Sequence, residues 1–280
     1  MSFSKFDKIS SLLISMRFKT TPLGVICVYV GGLVAGAAYD STDLILAMLA
    51  TFFIGSGSMA FNDYFDWEID IVNHPERPIP RGILKPKEML FFSILLFATG
   101  VIISYFINIL CLSIAIFSLF ILVFYEKISK NYGLSGNVTV AFASAISFTF
   151  GGAAVNNPLS SLILSAIAFF IMVSREIIMD IRDSEGDKQS RKTLPVKIGK
   201  RSALHVATIF LICAVALSPV PYFTFILNEW YLFAIIPVDL IAIYAVYNTY
   251  SDIKYAGKAA SLIRIALAIG LVAFVLGATL

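Results

Sequence analysis

The sequence predicts an all-α integral membrane protein with nine transmembrane helices and a cytoplasmic N-terminus, and three observations carry that expectation. Hydrophobic residues are 59% and charged residues 14% of the 280-residue chain, against about 25% charged in soluble domains. Apolar runs recur at close to the roughly 20 residues that a bilayer core requires. Lysine and arginine fall almost wholly into alternate connections between those runs, as the positive-inside rule demands of a multi-pass protein.

Residues 5–19 place Phe6, Ile9, Leu13 and Met16 at helical intervals among Lys and Ser, which suits an interfacial helix leading into the first span. The spans follow at about 22–39, 43–61, 89–106, 108–125, 137–155, 159–179, 203–221, 230–249 and 260–279. Asn108 marks the hairpin that divides the long apolar run from Met89 to Tyr125. Lys5, Lys8, Arg17 and Lys19 precede the first span, and only Arg175 and Arg264 lie inside spans. All other Lys and Arg follow the second, fourth, sixth or eighth. The chain is therefore expected in the cell membrane, with those loops in the cytoplasm and no nucleic-acid partner. Gly32 and Gly36 form a small-x-x-x-small pair expected to pack helices closely. Cys27, Cys111 and Cys213 read as small core residues.

Two acidic segments stand out against this apolar background, Asn62-Asp63-Tyr64-Phe65-Asp66-Trp67-Glu68-Ile69-Asp70 and Asp180-Ile181-Arg182-Asp183-Ser184-Glu185-Gly186-Asp187. Together they hold eight of the 18 carboxylates. Asp63, Asp66 and Asp70 share the i, i+3, i+7 spacing of Asp180, Asp183 and Asp187. At about 100° per residue, each trio falls within roughly 60° of one helix face. Two such negative faces repel unless cations lie between them, and oxygen donors with few His or Cys nearby indicate Mg²⁺ rather than zinc. Basic residues follow both segments, at 77–81 and 188–197. Metal-bridged carboxylates beside Lys and Arg are what a polyphosphate site needs.

Asn62-Asp63-x-x-Asp66-x-x-x-Asp70 followed by Arg77-Pro78-Ile79-Pro80, then Asp180-x-x-Asp183-x-Glu185-Gly186-Asp187 followed by Thr193-Leu194-Pro195, resembles the UbiA superfamily of intramembrane prenyltransferases. The similarity spans almost the whole chain. Asn73-His74-Pro75 and Arg175-Glu176-Ile177 are most similar to its archaeal-type digeranylgeranylglyceryl phosphate synthases. The resemblance implies a single domain over 1–280 with two pseudo-repeated Asp-rich halves, about 1–136 and 137–280, around a central lipid-open cavity. It implies Mg²⁺-dependent transfer of a geranylgeranyl group from its diphosphate to the free hydroxyl of geranylgeranylglyceryl phosphate, a lipid-like acceptor within the bilayer. All six aspartates would act in catalysis and, with Asn62, hold metal. Tyr125, Lys130, Asn137, Arg182, Lys188, Arg191 and Lys192 would meet the diphosphate. The acceptor's own phosphate needs further basic contacts, for which Arg17, Lys19, Arg77 and Arg81 are candidates.

Three matters stay open at this point. An aromatic or tetrapyrrole acceptor fits much of the same wording, and prenyl chain length and oligomeric state are unspecified. An ion-coupled transporter is the alternative of a different class, but its ionisable groups belong near the membrane midplane and these acids lie at span ends. His74 reads as a turn residue or a proton acceptor, and Glu68 and Glu185 as supporting or solvated groups.

Overall fold

The computed structural model describes residues 4–18, 21–187 and 192–279, with the backbone alone at 131 and 185–187. Among them every regular element is helical. An interfacial helix, α1 (Lys5–Ser15), is followed by α2 (Thr21–Val34), α3 (Thr42–Asn73), α4 (Pro86–Ile107), α5 (Ile109–Lys127), α6 (Leu134–Ala154) and α7 (Pro158–Asp187). The short α8 (Leu194–Ile198) leads to α9 (Lys200–Leu217), α10 (Val220–Phe223), α11 (Glu229–Ser251) and α12 (Ala256–Thr279).

Eight of these stretches are long and apolar enough to cross a membrane, and α2 is a shorter apolar helix beside them. Together they account for the nine expected passes of a multi-pass membrane protein, with bounds that shift in three places. Helix α2 stops short of residue 39 because the chain turns at Gly36 with φ +92°, a conformation that glycine adopts without steric cost. Gly36 therefore ends a helix rather than packing one, whereas a Cβ on Gly32 would lie 2.3 Å from Leu44. Helix α3 runs on past residue 61 to Asn73. The seventh pass breaks after Leu217 and resumes in α10 behind Pro219.

Sequence explains the other joints. Ser4 and Asp7 form a capping box on α1, whose Phe6, Ile9 and Leu13 are exposed while Met16 is buried. A single extended residue, Asn108, separates α4 from α5. Its side-chain Oδ1 accepts from Cys111 N at 2.7 Å, and its Nδ2 donates to Ala153 O at 2.9 Å. Helices α2 and α6 cross closely enough that a Cβ on Gly151 would sit 1.9 Å from Val28 O, and one on Gly31 would sit 2.1 Å from Phe148 O. Only glycine permits that approach.

The helices enclose a cavity of about 350 Å³, lined by residues of α2, α3, α5, α6, α7, α11 and α12, among them Cys27, Ser58, Phe148, Met172 and Leu267. On α3 the lining ends at Met59, one turn before Asn62. On α7 it ends at Met172, two turns before Asp180. Both acidic segments thus stand at one end of the cavity.

Candidate active site

Each acid of the first trio is met by a cation from a different part of the chain. Asp63, 4% exposed, accepts from Arg17 Nη2 at 2.6 Å and has Arg77 Nη1 at 3.4 Å. Arg77 also donates to Asp70, which is equally buried. Asp66 accepts from Lys130 Nζ at 2.6 Å and from Asn62 Nδ2 at 3.1 Å. Asn62 and Lys130 both reach on to Glu126, at 3.0 Å each. Carboxylates held this far from water need such partners, because an unpaired buried charge is costly. Arg17 is itself held with φ +49°, a backbone state uncommon outside glycine. It stands between α1 and α2.

The second trio is more open. Asp180 accepts from Asn137 Nδ2 at 2.9 Å. Asp183 is gripped by Nε and Nη2 of the adjacent Arg182, both at 2.6 Å, and the two side chains remain 47% and 40% exposed. The backbone of Asp187 continues α7; its side chain, like Lys188 and Arg191, lies outside the described residues. Tyr125 is half-buried on the last turn of α5, and Lys192 is exposed ahead of α8.

One connection serves both clusters. The segment between α5 and α6 delivers Lys130 to Asp66, and the first turn of α6 that it leads into delivers Asn137 to Asp180. Ser129 Oγ pins it by hydrogen bonds of 2.9 Å to Ser135 Oγ and Thr139 Oγ1. Gly133, with φ +52°, lets the returning chain pack against it, since a Cβ there would lie 3.2 Å from Lys192 O. The two trios are therefore tied to a common strut at one end of the bundle.

Sequence reasoning treated Arg17, Arg77, Lys130 and Asn137 as phosphate ligands, whereas their contacts here are to the aspartates. Among the described residues no three acids, His or Cys gather into a metal cluster; the acids turn to basic and amide partners instead. The donor set still fits a hard divalent cation, because it is made of carboxylate and amide oxygens. His74 closes α3 and turns its Nδ1 to Glu76 at 3.2 Å, the turn role. Glu126 was missed in the sequence. Its signal is a lone carboxylate at the end of the fourth apolar run, four residues before Lys130.

Residues 24–268 match the family model described as the UbiA prenyltransferase family. The digeranylgeranylglyceryl phosphate synthase of Methanococcoides burtonii is 38% identical over 240 residues, covering 85% of this chain and 84% of that protein. A solved structure described as digeranylgeranylglyceryl phosphate synthase in membranes superposes with a TM-score of 0.86 at 34% identity, covering 97% of this chain and 98% of the other. A UbiA homolog from Archaeoglobus fulgidus, solved bound to DMAPP and Mg²⁺, gives a TM-score of 0.66 at 18% identity over 95% of this chain and 99% of that one. That last likeness speaks to the fold alone.

Proposed function

The chain belongs to the UbiA prenyltransferase family, and from that premise we propose that it transfers a geranylgeranyl group from geranylgeranyl diphosphate to the free glycerol hydroxyl of geranylgeranylglyceryl phosphate, making the second ether bond of an archaeal-type membrane lipid. Relatives bearing the synthase name over most of their length support that acceptor. The observation that supports the reading is the stretch from Lys130 into the first turn of α6, which reaches Asp66 of one trio and Asp180 of the other beside one apolar cavity.

The chemistry follows from charge and shelter. The allylic C–O bond of the donor breaks as its diphosphate leaves with the bonding electron pair, the acceptor oxygen bonds to the allylic carbon, and the hydroxyl proton passes to the departing diphosphate or to water. Mg²⁺, held by Asp63, Asp66, Asp70, Asp180, Asp183 and Asp187 with Asn62, would supply neutralisation of the charge that develops on the leaving diphosphate. Lys130 and Arg77 are placed to trade their carboxylate partners for phosphate oxygens, and Arg182 and Lys192 extend the basic rim; Lys188 and Arg191, also expected to meet the diphosphate, lie outside the described residues. Lys130 keeps Glu126 as a second anchor when Asp66 turns away. The apolar cavity takes the isoprenoid chain and keeps water from the allylic cation. The catalytic end faces the cytoplasm in this reading, in keeping with the alternation of Lys and Arg along the chain.

Purified protein given geranylgeranyl diphosphate, Mg²⁺ and geranylgeranylglyceryl phosphate is expected to release pyrophosphate and form a diether phosphate. EDTA stops the reaction and added Mg²⁺ restores it. Turnover of aromatic acceptors alone would replace the acceptor assignment. Failure with every prenyl diphosphate and acceptor, or full activity without divalent cations, would remove the mechanism.

A further inference from the structure

We propose that Arg175 and Arg264 form a second anion site, beside the acid clusters, that takes the phosphate monoester of the acceptor while its isoprenoid chain occupies the cavity; Arg182, held by Asp183, marks where α7 and α12 meet. The proposal rests on the acceptor assigned above and locates that acceptor's headgroup.

Helix α7 carries two chemistries on two faces. At about 100° per residue, Asp180 and Asp183 lie on one side and Arg175 and Arg182 about 120° around from them. The acidic side meets α6, where Asn137 holds Asp180. The basic side meets α12, where a Cβ on Gly257 would lie 3.3 Å from Arg182 Cδ. Helices α7 and α12 run in opposite directions here. Two turns back along α7 from Arg182 is Arg175, and two turns on along α12 from Gly257 is Arg264. Both arrive at the same depth, and Arg175, Arg182 and Arg264 all act electrostatically on Glu176.

That depth is the rim of the cavity. Met172 lines the cavity on α7, one turn before Arg175, and Leu267 lines it on α12, one turn after Arg264. An amphiphile with its chain in the cavity brings its headgroup to these guanidinium groups. Arg175 is ready for an acceptor atom: Nη1 donates to Glu176 Oε1 at 2.6 Å, but Nε is buried with no hydrogen-bond partner among the described residues. A buried donor left so is costly. Arg264 is exposed and makes no hydrogen bond there either. Planar guanidinium groups match phosphate oxygens two at a time.

Of the cations the sequence offered for this headgroup, Arg17 and Arg77 are instead engaged by Asp63 and Asp70, Arg81 is exposed on the loop after α3, and Lys19 lies outside the described residues. Two phosphate-bearing substrates also repel each other when crowded into one site. Faces of α7 about 120° apart separate them while the hydroxyl and the allylic carbon meet in the cavity mouth.

Arg264→Gln is the probe, because Arg175→Gln strands Glu176 and risks the fold. Binding is read by thermal stabilisation with a 1-O-alkylglycerol phosphate, the matching 1-O-alkylglycerol, and phosphatidylglycerol. Wild type is expected to bind the phosphate monoester about tenfold or more tighter than the alcohol. Arg264→Gln should lose most of that preference and raise KM for the phosphate acceptor by a similar factor, with KM for geranylgeranyl diphosphate within about twofold of wild type. Arg264→Lys should recover part of the loss. Equal binding of phosphate and alcohol by wild type overturns the proposal, as does phosphatidylglycerol matching the monoester, or a donor KM that rises with the acceptor KM. If wild type turns over no phosphate-bearing acceptor, the functional reading fails on its own, and the binding comparison still decides the site.

Discussion

Two aspartate trios with the same spacing are treated in opposite ways by the fold. On α3, Asp63 and Asp70 are buried and share Arg77, Asp63 takes Arg17 as well, and Asp66 shares Lys130 with Glu126. On α7, Asp180 has an amide partner and Asp183 pairs with its own neighbour in partial exposure. Spacing decides which helix face an acid occupies, and the surrounding cations decide what it does before substrate arrives. The α3 cluster is a structural element as well as a proposed metal site, whereas the α7 cluster can turn toward a ligand at little cost to the fold.

The comparison breaks first if catalysis needs only one cluster. Asp66→Ala and Asp183→Ala are each expected to lower turnover by about 10³-fold or more, because in the proposed mechanism both trios neutralise one leaving group. Both variants should fold, since Lys130 retains Glu126 in the first and Arg182 is open to water in the second. Pyrophosphate release, followed beside a thermal melt, checks this. Near-normal turnover in either variant would free that trio from its assigned role.

A smaller effect sharpens the structural half of the contrast. Arg77→Ala leaves Asp70 buried without its cation and Asp63 with Arg17 alone. Breaking a buried pair from one side costs about 3 kcal/mol, reduced somewhat here because Arg77 is 22% exposed. Denaturation of the variant in detergent should therefore begin well below the wild-type temperature. Lowering pH, or replacing Asp70 by Asn in the same chain, should return part of the loss by removing the stranded charge.

What could be read from the chain divides along similar lines. Apolar run length and the alternation of Lys and Arg reveal nine passes because lipid acts on every residue of a span. They do not reveal that α3 continues to Asn73, since hydropathy marks where lipid ends and the helical hydrogen bonds run on beyond it. The trios were visible as a spacing along one helix. Their partners were not, because Arg17 and Lys130 reach Asp63 and Asp66 across 46 and 64 residues of chain. Assigning those cations to phosphate skipped the state in which they balance the acids themselves. Glu126 escaped notice for a related reason: one acid at the end of a span looks solvated until Asn62 and Lys130 are seen to converge on it.

The smallest effect tests the open cluster. Arg182 and Asp183 are adjacent in sequence and both substantially exposed, so their pair is worth about 0.5 kcal/mol or less to the fold. Arg182→Ala should leave the melting temperature close to wild type and still weaken catalysis, because the proposed role of the side chain is to meet phosphate rather than to hold the fold. High salt should narrow the difference in activity between variant and wild type, as screening weakens contacts between exposed charges. A melt shifted as far as that of Arg77→Ala would show that the second cluster carries structural weight after all, and would erase the contrast between the two trios.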